Sequence, residues 1–325
     1  TAHSQDAGLG TRNIRMLIGV GVGGDYDVQA RFLARHLGWH LPGNPAVVAE
    51  NMLGAGGLKM ANYLYELAPK DGTVIGVIAN NFPALQASGG QGVQFDAAQF
   101  QWLGAMTRET NTMVVWHTAG VKTVEDMRRI EVAAGASGRG AITYTFPAMM
   151  NDLLGTKFKI VHGYKSAGEI TLALERGEVQ GRVGWSVGAL LSGNTADWTR
   201  DKKLYVLIQL GLEKDKRLPA DIPLATDLAR TAEDRQVMSL IFAATTIGWP
   251  SFMGPDVPPE RVAAVRAAYQ QALTDPDFIA GAKKQNLGID PLSPHDIDTI
   301  VAGMYATPQP LMDKAREIMK YTGVE

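Results

Sequence analysis

Over residues 14–80 the chain alternates between two hydrophobic periods, and that alternation restricts its fold more than any other feature. Short apolar runs, "IRMLIGV", "AVVAEN" and "TVIGVIAN", are separated by segments whose apolar residues recur every three or four positions. Strand–helix–strand succession predicts βαβ units and a parallel sheet. The helix expected from Asp27 to about Leu41 places Val28, Phe32, Leu37 and Leu41 on one face. Asp27 is placed to accept the free N–H groups of its first turn. A second helix is expected near Leu58–Ala68.

A second set of elements follows: "TMVVWHT", "IEVAAGAS", a helix near Phe146–Leu154, "FKIVHGY", a helix through Ile170–Arg176, and "VQGRVGWS". The run "PDVPPERVAAVRAAYQQALTDPDF" then opens a helix on proline and sets Val262, Val265, Tyr269 and Ala272 at helical spacing. Helices near His295–Ala306 and Pro308–Tyr321 close the chain. A length of 325 residues calls for two domains.

Charge excludes some classes of partner. The 31 basic and 33 acidic residues nearly cancel, and no Lys/Arg-rich block with interleaved aromatics is present. The footprint of a nucleic-acid binder is therefore missing. No stretch approaches the ~20 consecutive apolar residues of a spanning helix. Cysteine is absent, which excludes disulfides, thiolate nucleophiles and cysteine metal sites. The first dozen residues are small and polar, and read either as an irregular start or as the stub left after signal cleavage.

Three motifs suggest enzymes. Gly19, Gly21 and Gly24 fit the G-x-G-x-x-G phosphate cradle, with Glu50 near the place of a ribose-binding acid. Asp25 and Asp27, however, bracket Tyr26 where a pyrophosphate would sit, and two carboxylates there are repulsive. "GWSVG", residues 184–188, fits a nucleophile elbow at Ser186 with His295 downstream. It lacks an oxyanion segment, and "SPHDI" around His295 reads as a helix start. His36 and His40 share one helical face, but no base or third ligand accompanies them as zinc chemistry requires. No catalytic residue, metal or cofactor is expected.

Three segments share another design, a strand end followed by a small-residue loop and a helix: "GVGVGGDYD" (19–27), "AAGASGRGAITY" (133–144) and "HGYKSAGEI" (162–170). Strand C-termini are where open α/β sheets bind ligands. Helix N-termini there offer N–H donors and partial positive charge, which suit a carboxylate. Two such platforms facing each other would clamp an anionic small molecule without any nucleophile.

Four pieces in order over some 270 residues then resemble one family, the Bug-type extracytoplasmic receptors of tripartite tricarboxylate transporters. They are "GGDYDVQARFLARHL", "VVAENMLGAGGLKMANYLYELAPKDGTVIG", "GYKSAGEITLALERGEVQGRV" and "PDVPPERVAAVRAAYQQALTDPDFIAGAKKQNL". The resemblance implies an α/β, two-lobed type II periplasmic-binding-protein fold with the ligand enclosed between lobes. It implies a monomeric periplasmic protein, its signal peptide removed, that hands a small carboxylate to a membrane permease. Lobe one is expected over residues 12–107 plus 245–325 and lobe two over 108–244, with Gly248-Trp249-Pro250 near the return crossing. The first-lobe loop carried over is Gly23, Gly24, Asp25, Tyr26 and Asp27, with Asn80 and Asn81 after the third strand. The second-lobe loop is Ser137, Gly138, Arg139, Gly140 and Ala141, joined by Tyr164 and Lys165.

The chain also departs from that family. Gly19-Val20-Gly21-Val22 stands where Pro-Phe-Ala/Pro-Ala is usual, Tyr26 replaces a small hydroxyl residue, and Asp25 and Arg139 add charge. Arg139 is expected to pair with a ligand carboxylate, since guanidinium can bind it through two parallel bonds. Tyr26, Phe82, Tyr144 and Trp185 are expected to pack the ligand body, and Asp25 to select a hydroxyl or amine on it.

Overall fold

The computed structural model describes residues 12–23, 25–87, 89–137, 141–164, 166–285 and 287–320. They fall into two compact units, Thr1–Arg108 with Ile247–Ala306, and Glu109–Thr246 with Thr307–Glu325. Unit one begins with β1 (Ile14–Ile18), α1 (Asp25–His40), β2 (Val47–Asn51), α2 (Leu58–Glu66), β3 (Val74–Val77), α3 (Phe82–Ala87) and β4 (Gln101–Arg108). Unit two continues with β5 (Asn111–Trp116), α4 (Val124–Arg129), β6 (Val132–Ala136), α5 (Ile142–Leu154), β7 (Phe158–His162) and α6 (Ala167–Glu175). It then adds β8 (Gly181–Ser186), α7 (Val187–Leu190), α8 (Gly193–Arg200), β9 (Leu204–Leu210) and α9 (Ala232–Thr246). The chain returns to unit one through β10 (Ile247–Met253), α10 (Pro259–Thr274), α11 (Pro276–Lys284) and α12 (Pro294–Tyr305). It ends in unit two with α13 (Gln309–Lys320).

Each unit is built on a five-stranded mixed sheet, β2-β1-β3-β10-β4 in the first and β7-β6-β8-β5-β9 in the second. Strand β1 runs parallel to β2 and β3, and β10 runs antiparallel to β3 and β4. The second sheet repeats the plan, with β6 parallel to β7 and β8, and β5 antiparallel to β8 and β9. In both, the antiparallel strand is the one that begins just after the chain enters the unit. Parallel neighbours need long crossovers, and the helices of the strand–helix alternation supply them.

Period-2 alternation fixes the two faces of the first sheet. Ile14, Met16 and Ile18 of β1 join Phe32, Leu33, Leu37, Tyr269 and Phe278 on one side. Leu17 joins Met60, Leu64, Phe100, Trp102 and Phe252 on the other. Gly76 sits where β3 passes between these layers, and a Cβ there would lie 2.3 Å from Leu64 and 2.7 Å from Phe252. Any larger residue would drive the sheet and α2 apart.

Helix starts follow their capping chemistry. Asp275 accepts the N–H groups of Asp277 and Phe278 at the start of α11, and Ser293 and Asp296 form a reciprocal capping box on α12. Val262, Val265, Tyr269 and Ala272 of α10 are all buried, as their spacing predicts. Phe32 and Leu37 of α1 and Leu41 just after it are buried, while Val28 is 39% exposed. That helix begins two residues before Asp27 and its buried stripe is carried instead by Ala30, Leu33 and Ala34.

The last helix departs from the expected division, which ran lobe one through residue 325. Helix α13 packs on α9 and α5 in unit two. Leu311, Met312, Ala315 and Ile318 are buried, and Lys314 bridges Glu233 at 3.2 Å and Asp234 at 3.1 Å.

Candidate functional site

In unit one the C-terminal ends of β1, β2 and β3 and the start of β10 lie at one edge of the sheet. The loop after β1 approaches the turn Ala55–Gly57 closely enough that a Cβ on Gly19 would lie 3.1 Å from the Gly57 Cα. Gly57 itself has φ +102°, and its Cβ would meet Phe82 at 3.1 Å and the Gly19 carbonyl at 3.2 Å. The last glycine of "GAGG", Gly57, is therefore needed for backbone-to-backbone contact with the first loop. Phe82, expected to pack a ligand, is 4% exposed and stacks on Phe95 in the core instead.

Asp27 is equally committed to structure. Burial pushes its carboxyl pKa up. Hydrogen bonds from Arg31 (3.0 Å), the Gly23 N–H (2.9 Å) and Asn51 (2.8 Å), with the Arg31 charge, outweigh that and hold it below the ordinary value. Asn51 also donates to the Val20 carbonyl at 2.8 Å. The carboxylate thus turns back onto the loop instead of capping the following N–H groups, and it has little capacity left for a ligand. Arg31 and Asn51 complete this clamp, and neither stands out by pattern; only "ENMLGAGG" as a block marks the place.

Tyr26, one position earlier, accepts the Asn80 N–H at 3.1 Å with its hydroxyl and sets its ring edge-on to Trp249, centroids 6.1 Å apart. Asn81 is exposed, and its carbonyl starts α3 by accepting the Leu85 N–H. Trp249 is in β10, with φ +52°, a region bulky side chains rarely occupy and one that costs ~1–3 kcal/mol. Its indole Nε1 is buried with no hydrogen-bond acceptor among the described residues. Strain and an unanswered donor coincide at the strand-end edge, beside the predicted residues Tyr26 and Asn80. Flanking Gly248 and Pro250 were the available sequence signal, since both mark irregular backbone.

In unit two the C-terminal ends of β6, β7 and β8 are likewise neighbours. Ser137 follows β6, and its N–H donates to the Thr143 hydroxyl at 3.2 Å. Helix α5 begins after Ala141, which offers no side-chain cap, so its first-turn N–H groups have no side-chain acceptor from that residue. Helix α6 contrasts with it, because the Ser166 hydroxyl accepts the Glu169 N–H. Tyr164 is half-buried over Gly135 and packs on the cluster of Val114, Trp116 and Leu174, and burial pushes its phenol pKa up. Trp185, expected as a ligand-packing aromatic, is 3% exposed in that cluster, with the Arg182 guanidinium 3.9 Å above its ring.

Tyr144 sits in the first turn of α5, its N–H donating to the Ala141 carbonyl at 2.9 Å. Its ring lies 6.4 Å from that of His162 and lines a groove of about 860 Å³ with Ala148, Ile160, Lys314 and Ile318. Asp152, Glu233 and Glu317 also border that groove, a poor environment for an anion. Gly24, Gly138, Arg139, Gly140 and Lys165 lie outside the described residues, as does the side chain of Asp25.

The enzyme-like motifs have structural occupations. Glu50 holds Arg15 through two nitrogens at 3.0 and 2.7 Å, which removes the ribose-binding acid of a dinucleotide site. The Ser186 hydroxyl accepts the Ala189 N–H as the cap of α7. His36 packs against Phe32, Trp39 and Phe278, while His40 Nε2 lies 3.2 Å from the Asp275 carboxylate.

No family model matches the sequence, and no curated protein sequence matches it. Solved structures do match. A TctC solute-binding protein from Polaromonas superposes with a TM-score of 0.72 at 20% identity, over 94% of this chain and 99% of that one. The periplasmic binding protein BugD gives 0.57 at 17%, over 94% and 97%. MatC from Rhodopseudomonas palustris with bound malate gives 0.54 at 19%, over 95% and 99%. The chain has the α/β, two-lobed type II fold of the periplasmic solute-binding proteins.

Proposed function

We propose that the chain is an extracytoplasmic solute receptor that captures a small carboxylate and delivers it to the permease of a tripartite tricarboxylate transporter. It acts as a monomer and performs no covalent step. The observation that carries this reading is the strand-end edge of unit one. There Tyr26, the Asn80 backbone and the Trp249 indole bring polar tips and aromatic surface together, and one donor lacks an acceptor. Apolar walls with a few placed donors suit an organic acid. The helix start after Ala141 adds partial positive charge in the second unit. MatC, with the same fold, carries malate. Gly24, Asp25, Ser137, Arg139, Gly140, Tyr164 and Lys165 complete the proposed binding set, with Arg139 pairing a carboxylate.

The test is a thermal-shift panel of aliphatic and aromatic mono- and dicarboxylates beside their neutral amides. The reading expects at least one acid to raise the Tm saturably, by several degrees at a hundredfold excess over Kd, and its amide not to. A panel in which no acid moves the Tm, or in which only a dinucleotide does, would defeat it.

A further inference from the structure

Arg182, the second residue of β8, is 7% exposed and forms no ion pair among the described residues. Burial draws its pKa down to about 10, so the group stays charged at neutral pH. A buried charge without a counter-charge is costly and is ordinarily paired. Of the five N–H donors on a guanidinium, only Nη1 has an acceptor among the described residues, the Thr171 hydroxyl, which itself donates to the Ala167 carbonyl at 3.0 Å. Nε is sealed and unanswered. Nε and Nη2 form the side-on fork of an arginine, the same edge with which Arg15 holds Glu50 at 3.0 and 2.7 Å. On Arg182 that fork is open.

The direction of the side chain matters. A strand rises ~3.3 Å per residue, so Trp185 lies ~10 Å further along β8. With the guanidinium 3.9 Å over the Trp185 ring, the two side chains lean toward each other along β8. Strict alternation would put residues 182 and 185 on opposite faces. Gly184, at φ +79°, and the register shift between Thr112 and Met113 opposite it bring them together. The indole face supports the cation without neutralising it.

Resting on the receptor reading, we infer that Arg182 is a carboxylate anchor of the second unit, binding the anion through Nε and Nη2 while Nη1 stays on Thr171. Nε is sealed and the residue is largely buried, so an anion that reaches the fork meets the charge where screening is weak. Nothing in the sequence pattern assigns this residue to the site.

The experiment uses full-length protein carrying ¹⁵N-labelled arginine, with the Arg182 Nε–H signal identified by its loss in Arg182→Met. Sodium acetate and sodium chloride are titrated at matched ionic strength, and malate binding is measured by calorimetry on wild type, Arg182→Met and Arg182→Lys. Expected are a saturable shift of the Arg182 signal with acetate and not with chloride, and malate binding weakened at least tenfold in Arg182→Met and less in Arg182→Lys. Arg182→Met should melt at or above wild type, since it removes a buried charge, whereas a merely structural arginine would leave it less stable with binding intact. An unmoved Arg182 signal overturns the inference, as does wild-type malate affinity in Arg182→Met. If Arg182→Met does not fold, the signal is identified by its loss in Arg182→Lys and the acetate titration of wild type decides. If acetate moves the signal but no acid of the wider panel binds, the anchor stands and the receptor reading falls.

Discussion

Asn51 Nδ2 donates to Asp27 Oδ1 at 2.8 Å and so joins the end of β2 to the first turn of α1 across 24 residues of chain. The same carboxylate takes Arg31 and the Gly23 N–H, and it is nearly fully buried. Asp27→Ala should therefore cost about 1–3 kcal/mol, because it leaves a half-exposed cation and two part-buried donors without their acceptor. The folded pKa is held below the unfolded value. The stabilisation is then present above about pH 4 and is lost as pH falls through the folded pKa. Urea denaturation of both proteins at neutral pH and near pH 3 checks this, and the gap between them should narrow in acid.

Trp249→Phe keeps an aromatic ring beside Tyr26 and removes the indole N–H together with its five-membered ring. The substitution should change stability little, because the lost donor has no protein acceptor to leave behind. Affinity for the best carboxylate should fall roughly tenfold, the order expected for one hydrogen bond to a charged acceptor. Calorimetry beside a melting curve separates the two effects, and equal affinity would remove Trp249 from the site.

Helix α13 belongs energetically to unit two. Lys314→Met takes the cation from Asp234, whose own carboxyl is nearly buried. Burial raises that carboxyl, but bonding to Lys314 and Thr231 wins and holds it low. The loss should be about 1–2 kcal/mol, between the values for exposed and buried pairs. Hydrogen exchange should then quicken first in α9, against which the helix packs, and unchanged α9 protection would contradict the assignment.

Ser186→Ala removes a cap and nothing else. It should cost about 0.5–1 kcal/mol, read from the urea midpoint, and leave carboxylate binding within error of wild type. A fluorophosphonate probe should not label Ser186. Labelling lost in the alanine variant would instead reveal a hydrolase.

The residues that announced themselves were those governed by local rules. The spacing of Val262, Val265, Tyr269 and Ala272 gave a buried helix face, and "SPHDI" gave a helix start with Ser293 as cap. The strand–glycine–helix rhythm gave the parallel half of each sheet. The strand β5 was legible in "TMVVWHT", but the antiparallel pairing of β5 and β10 was hidden, because pairing between segments so distant in sequence leaves no local trace. Asp27 has the composition of a cap, yet its partners Asn51 and Gly23 are set by tertiary contact. Phe82 and Trp185 are chemically suited to grip a ligand, and whether an aromatic faces core or cleft depends on neighbours no short motif specifies. Arg182 was illegible for a further reason, since the extra residue at Gly184 shifts the phase of β8 and voids any face assignment read from alternation.

The most direct measurement is titration calorimetry of the purified protein with the acid that raises its melting temperature most, run beside the matching amide and followed by intact mass. The account predicts saturable one-to-one binding of the acid, at least hundredfold weaker binding of the amide, and an unchanged mass. Equal binding of acid and amide, or a mass increased by the bound molecule, would contradict it.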